Sequence, residues 1–135
     1  MEKIYSKIDG RLLHVINRKS DIVDRCNIAP PDQFLQLASL GLKKGTTFKP
    51  HKHIWKSPEY EKCIAQESWV VITGQVKCMF YDTDDSFIDE WILNPGDCSM
   101  TFEGGHTYEI LEENTLVYEY KTGPYTGVEN DKRFI

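Results

Sequence analysis

The chain lacks any long apolar run. No stretch approaches the ~20 consecutive apolar residues that a membrane-spanning helix needs. Residues 1–20 also lack the shorter apolar core of a signal peptide. We therefore expect a cytoplasmic protein without a membrane partner.

Excess positive charge is also missing. The sequence has 16 lysine and arginine residues against 21 aspartate and glutamate residues, and its formal net charge is −5. No basic stripe stands out, and an acidic chain is repelled by nucleic-acid phosphates and by anionic lipid. Nucleic acid is therefore not expected as a partner.

Cysteine is present without any sign of a cysteine-based site. Cys26, Cys63, Cys78 and Cys98 form no Cys-x-x-Cys pair, so we expect buried thiols rather than a disulfide framework or a cysteine zinc site. No Gly-x-Gly-x-x-Gly or P-loop pattern for binding phosphates occurs either.

What the sequence does contain is a series of short strand-like runs. Residues 67–74 and 87–93 are rich in β-branched and aromatic residues, and turn sequences such as 94–97 separate such runs. Turns at roughly 8–12-residue spacing indicate an all-β sandwich or barrel. Residues 75–82 are expected to run back as the antiparallel partner of the strand at 67–74.

A chain of 135 residues is most simply a single domain. We divide it into an N-terminal arm at 1–32, a barrel core at 33–120 and a C-terminal tail at 121–135. The arm should contain one or two short strands within residues 1–24. His14 lies there without a partner in the sequence, and we expect it to be structural.

Two segments ahead of the first clear strand are harder to interpret. Residues 33–42 fit both a helical period and an alternating one, and we favour strands. Thr46 to His53 is predicted as a strand, so that Lys49, His51 and His53 share one face. The Cα atoms of the two histidines would then lie about 6.5–7 Å apart, and both rings can reach one metal ion at about 2.0–2.1 Å.

A break in the strand pattern follows at 54–66. Ser57, Pro58 and Glu59 resemble a helix start, and we predict a short helix or ordered loop at about 58–65. Glu67 opens the next strand and shares a face with Trp69.

These residues together resemble the two motifs of the cupin superfamily. Gly45, His51, His53, Glu67 and Gly74 are similar to the first motif, and Pro95, Gly96, Asp97, Gly104, Gly105 and His106 are similar to the second. The resemblance covers about residues 33–120. It implies a jelly-roll barrel that binds one divalent transition metal through His51, His53, Glu67 and His106.

Within the cupins, the chain looks most like the small WbuC-type metalloproteins found among polysaccharide genes. The similar features are the Pro-His-Lys-His sequence at 50–53, Phe-Tyr-Asp at 80–82 and Lys-Thr-Gly-Pro-Tyr at 121–125. This resemblance implies a role in polysaccharide biosynthesis, and the superfamily implies a homodimer. Neither implies a particular reaction.

The chain departs from the cupin pattern in one spacing. Thirteen residues separate His53 from Glu67, where typical cupins have only a few. Glu59 and Glu61 are therefore rival ligands by proximity, although neither is followed by a glycine at the motif spacing. The inserted residues are expected to overhang the mouth of the barrel.

The implied ligand set suits Zn²⁺, Fe²⁺, Mn²⁺, Ni²⁺ or Cu²⁺ without choosing among them. Lys49 is the nearest predicted cation for an anionic substrate, although a solvated side chain explains it equally well. Trp69 and Tyr108 are candidates for stacking on a sugar ring, although core packing is the commoner role of an aromatic residue. No catalytic residue is assigned.

Three functions fit these observations. The first is a metal-dependent isomerase, epimerase or lyase acting on a small sugar-like or carbonyl-bearing molecule. The second is an iron-dependent dioxygenase with the same ligands. The third is a non-catalytic cupin that binds or senses a small-molecule ligand.

Overall fold

The computed structural model of the chain describes residues 1–53 and 62–135. Ten strands form in this part, and we number them in chain order. They are β1 (Glu2–Tyr5), β2 (Leu12–Asn17), β3 (Arg25–Asn27), β4 (Ala38–Leu40), β5 (Glu67–Thr73), β6 (Val76–Tyr81), β7 (Phe87–Leu93), β8 (Cys98–Thr101), β9 (Gly105–Ile110) and β10 (Leu116–Lys121). Two short 3₁₀ helices lie at Lys19–Asp21 and Val128–Asn130. No helix among these residues is long and apolar enough to cross a membrane.

The strands form two main antiparallel sheets that pack face to face. One has five strands in the order β1-β2-β8-β5-β10, and the other has three in the order β7-β6-β9. The core between them is built from apolar side chains of both sheets, chiefly Ile16, Val71, Val76, Phe80 and Leu93. The all-β prediction is thus confirmed. The two sheets do not close into a barrel within the described residues.

The five-stranded sheet is buried on its second face as well. Val15 and Met100 point away from the other sheet and pack against Ile28 and Ala29, which lie beside β3. Strands β3 and β4 form a separate two-stranded sheet. Burial of both faces explains why β8 is fully buried over its four residues.

The N-terminal residues form two short strands, where one or two were expected. Strand β2 pairs with β8, with Ile16 opposite Ser99, so residues from the predicted arm lie inside the main sheet. Of the segment 33–42, only Ala38–Leu40 forms a strand, paired with β3.

One predicted strand pairing is wrong. Strand β6 pairs with β7 and β9 rather than with β5. The chain instead crosses from one main sheet to the other at Gly74, which has a φ of +79° that favours glycine. Alternation in the sequence marks both strands but does not show which neighbour each one pairs with.

The predicted strand from Thr46 to His53 does not form. These residues have no regular secondary structure, and all of them are exposed. A strand needs a partner for its backbone groups, and Pro50 removes one donor from this segment. Half of the helix or ordered loop predicted near 58–65 falls on residues 54–61, which lie outside the described part of the chain. The other half lies in residues 62–66, which have no regular secondary structure.

All four cysteines are free. Cys78 and Cys98 are buried as predicted, whereas Cys63 is exposed and Cys26 is partly buried. Burial raises the pKa of Cys78 to about 12 and that of Cys98 to about 11, so these two thiols stay protonated and serve packing.

His14 lies in the interior between the two main sheets. Its Nδ1 is 3.0 Å from Thr101 Oγ1, its Nε2 is 3.3 Å from the Tyr81 carbonyl oxygen, and its ring packs on Phe80. Burial lowers the pKa of His14 to about 4. The residue therefore has the structural role expected for it.

The free energy of unfolding should depend on pH through His14. Between about pH 6.5 and pH 4 the unfolded chain binds a proton on this imidazole and the folded chain does not, so stability falls as pH falls through this window. The loss between pH 7 and pH 4.5 should be about 2.5 kcal/mol. Urea unfolding at pH 7 and pH 4.5 measures it.

The variant His14→Gln retains a side chain that can hydrogen-bond to Thr101 and removes the titrating group. Its unfolding free energy should change less than that of the wild type over the same window. Equal pH dependence in the two proteins would show that His14 is not buried in its neutral form.

Candidate metal centre

Two of the predicted ligands meet at one end of the space between the main sheets. Glu67 is the first residue of β5, and His106 is the second residue of β9. His106 Nε2 lies 3.1 Å from Glu67 Oε1. We call these two residues the Glu67–His106 pair. Glu67 is 9% exposed, so the pair lies at the edge of the core rather than in open solvent.

Strand alternation places both side chains on the interior. On β5, Glu67 and Val71 lie on the same face because they are four residues apart, and Val71 is part of the core between the sheets. On β9, His106 is opposite the buried Phe80 of β6. Residues directly opposite in a sheet share a face, so His106 points towards β5.

Gly104 allows the bend that leads into β9. Its φ is +82°, and a Cβ on this residue would lie 2.5 Å from the Tyr81 carbonyl oxygen. Only glycine fits such a close approach of two backbones. This bend positions His106 at the beginning of the strand.

The surroundings of Glu67 favour its carboxylate form. Burial by itself would raise its pKa, but the hydrogen bond from His106 and the charges of His106, Lys132 and Lys121 outweigh burial and lower it. Lys132 Nζ lies 3.9 Å from Glu67 Oε2. A negatively charged oxygen is thus held at the edge of the interior beside an imidazole.

Within the described residues, one ring nitrogen of His106 lacks a partner. Its Nδ1 is buried and has no hydrogen bond in the described part of the protein. A buried polar atom without a partner is unusual in native proteins and calls for a bound water, an ion or a functional role.

An aromatic wall adjoins the pair. The rings of Trp69 and Tyr108 stack with centroids 4.0 Å apart and planes 10° from parallel. The Tyr108 ring lies 5.4 Å from that of His106. Because each ring covers one face of the other, these two proposed sugar-stacking residues pack first on each other.

Polar contacts hold this wall in place. The Tyr108 hydroxyl lies 3.0 Å from Ser99 Oγ, and Trp69 Nε1 donates to Glu119 Oε2 at 3.3 Å. Burial raises the pKa of Tyr108 well above its ordinary value, so the hydroxyl keeps its proton.

His51 and His53 lie apart from the Glu67–His106 pair. Their ring centroids are 5.3 Å apart, and His51 Nδ1 donates to the Lys49 carbonyl oxygen at 2.9 Å. Across residues 1–53 and 62–135, no three His, Cys, Asp or Glu side chains are grouped so as to hold a metal ion. The structure thus joins two of the four predicted ligands and separately places the other two side by side.

The other predicted residues of the first motif-like stretch either do not lie at the Glu67–His106 pair or fall outside the described part of the chain. The Lys49 side chain is exposed on the segment that carries His51. The rival ligands Glu59 and Glu61 lie outside the described residues.

Sequence reasoning missed several residues around the pair. Ser99 and Thr101 line the interior from β8, and their alternation with Cys98 and Met100 was a visible signal for a polar inner face. Lys132 comes from the C-terminal tail, where no local pattern indicates a contact with Glu67.

Comparisons of the chain with protein-family models, with curated proteins and with solved structures found no match.

The hydroxyl contact in the wall gives a stability prediction. Tyr108→Phe should lower the free energy of unfolding by about 1–2 kcal/mol, because the buried Ser99 hydroxyl loses its partner. The matched control is Tyr118→Phe, which removes a hydroxyl from an exposed tyrosine of β10 and should leave stability unchanged. Equal stability of both variants would contradict the buried hydrogen bond.

Proposed function

We propose that this chain binds one divalent transition metal ion through Glu67 and His106, with His51 and His53 completing the set. The observation that carries the proposal is the 3.1 Å contact between His106 Nε2 and Glu67 Oε1. Glu67 and His106 are 39 residues apart in the sequence, and each lies in a stretch that resembles one cupin motif.

The donor set of the pair fits a metal ion. Two ligand atoms that each lie about 2.0–2.1 Å from one ion, at a right angle or somewhat wider, are about 3 Å apart. The observed distance between His106 Nε2 and Glu67 Oε1 matches that separation. An imidazole nitrogen and a carboxylate oxygen together suit a borderline divalent ion.

His51 and His53 are the natural further ligands because their rings already lie close together. They occupy an exposed segment without regular structure, and the described residues do not bring them to the pair. Metal binding on this proposal therefore draws the segment 46–53 towards the start of β5.

We further propose that the packed sheets are a cupin-type jelly roll, most similar to the WbuC-type metalloproteins. Two facing antiparallel sheets support this architecture, with the two motif-like stretches meeting at one end of their shared interior. A homodimer belongs to the same proposal.

On this proposal the protein is a metal-dependent enzyme acting on a small sugar-like or carbonyl-bearing molecule, of isomerase, epimerase or lyase type. The resemblance to the WbuC-type proteins supports a role in polysaccharide biosynthesis. A bound divalent ion would supply Lewis-acid polarisation of a substrate oxygen. The chain itself contributes the ionised Glu67, the imidazole of His106 and the adjoining Trp69–Tyr108 wall.

Metal content tests the proposal. Protein purified without chelators and loaded with Zn²⁺ should carry one ion per chain by elemental analysis. Glu67→Gln and His106→Asn should each weaken Co²⁺ binding by on the order of 100-fold, because changes even to outer-shell partners weaken metal binding 10- to 100-fold. Isothermal titration calorimetry measures the affinity.

Two further variants complete the design. The double variant His51→Ala, His53→Ala should also weaken Co²⁺ binding. His14→Gln changes the one histidine that is not a proposed ligand, and it should leave the Co²⁺ affinity unchanged. If the wild type binds no ion, or if the His14 variant loses affinity as much as the His106 variant, the metal proposal is wrong.

A further inference from the structure

The last residues of the chain cross the end of the sandwich at which Glu67 and His106 meet. We call residues 131–135 the C-terminal strap. They follow the 3₁₀ helix Val128–Asn130, and the Lys132 backbone N–H donates to the Val128 carbonyl oxygen at 3.0 Å. The strap contacts both main sheets.

Two of its residues contact the five-stranded sheet. Asp131 accepts a hydrogen bond of 3.1 Å from Lys121 Nζ at the end of β10. Lys132 Nζ lies 3.9 Å from Glu67 Oε2, whereas Glu67 Oε1 contacts His106. The two oxygens of this carboxylate thus face an ammonium group and an imidazole.

Two other residues contact the three-stranded sheet. Arg133 forms a bidentate ion pair, at 2.8 and 3.2 Å, with Asp85, which lies in the turn between β6 and β7. Ile135 packs on Gly105 at the start of β9, where a Cβ would lie 2.7 Å from Ile135 Cδ1. The strap therefore spans from one sheet to the other beside the Glu67–His106 pair.

We propose that the C-terminal strap is a displaceable cover of the metal centre, and that the Lys132 ammonium supplies part of the positive charge at Glu67 when no metal is bound. This inference rests on the proposed function. A metal ion bound to Glu67 and the Lys132 ammonium group would compete for the same carboxylate. Two positive charges beside one carboxylate also repel each other. Metal binding therefore expels Lys132 and loosens the strap.

The ion pairs made by Lys132 and Arg133 are weak enough for the strap to open. The Lys132 side chain is 44% exposed, and the Arg133–Asp85 pair is largely exposed. Asp131, which is 10% exposed, anchors the beginning of the strap to Lys121, so the part that opens is residues 132–135. Exposed ion pairs are weak because water and salt screen them. A divalent ion can therefore displace Lys132 without unfolding the sandwich, since the strap contributes no strand to either sheet.

Co²⁺ affinity separates this role from passive packing. Lys132→Ala should bind Co²⁺ about fivefold or more tightly than the wild type, because the competing charge is gone. The matched control Lys3→Ala removes the same charge from β1, at the far edge of the five-stranded sheet, and should change affinity less than about twofold. Arg133→Ala loosens the strap but keeps Lys132, and should strengthen binding less than Lys132→Ala does.

Hydrogen exchange gives a second readout that does not depend on charge. In the wild type, the Lys132 backbone amide should exchange faster when Co²⁺ is added, because its bond to Val128 opens with the strap. Slower exchange on adding Co²⁺ would overturn the proposal, since the strap would then close on the ion.

The outcomes separate the two proposals. If Co²⁺ binds wild type and Lys132→Ala equally, the strap inference is wrong and the metal centre stands. If neither protein binds Co²⁺, both are wrong.

Discussion

The Glu67–His106 contact is the interaction on which this account of the protein depends. A carboxylate and an imidazole leave bulk water together at the end of the interior, where each satisfies part of the other's need for a partner. Removing either one leaves the other with an unmet polar group. Strand alternation in β5 and β9 makes the contact possible, because it directs both side chains inward.

Much of this arrangement could be predicted from regular strands. Runs of β-branched and aromatic residues indicated the all-β class, and alternation put Glu67 and Trp69 on one face. Alternation failed from Thr46 to His53, because a period of two has structural meaning only where the backbone finds a neighbouring strand. That segment is exposed instead, and its histidines meet each other but not the pair.

Other features depended on contacts between distant parts of the chain. The crossing between sheets at Gly74 depends on which strand β6 meets, and a local pattern does not contain that information. Lys132 reaches Glu67 from 65 residues away in the sequence, within a polar tail that has no strand or helix period. The histidine at position 14, which has no partner in the sequence, was interpreted correctly because an isolated interior imidazole is most often neutral and hydrogen-bonded.

An anomalous-difference map tests the central claim most directly. Crystals grown with Zn²⁺ and measured at the zinc absorption edge should show one strong peak within about 2.0–2.2 Å of both His106 and Glu67. His51 and His53 should be drawn to the same peak, and the Lys132 ammonium should have moved away. A fully loaded crystal with zinc elsewhere and the His106–Glu67 hydrogen bond intact would contradict the account.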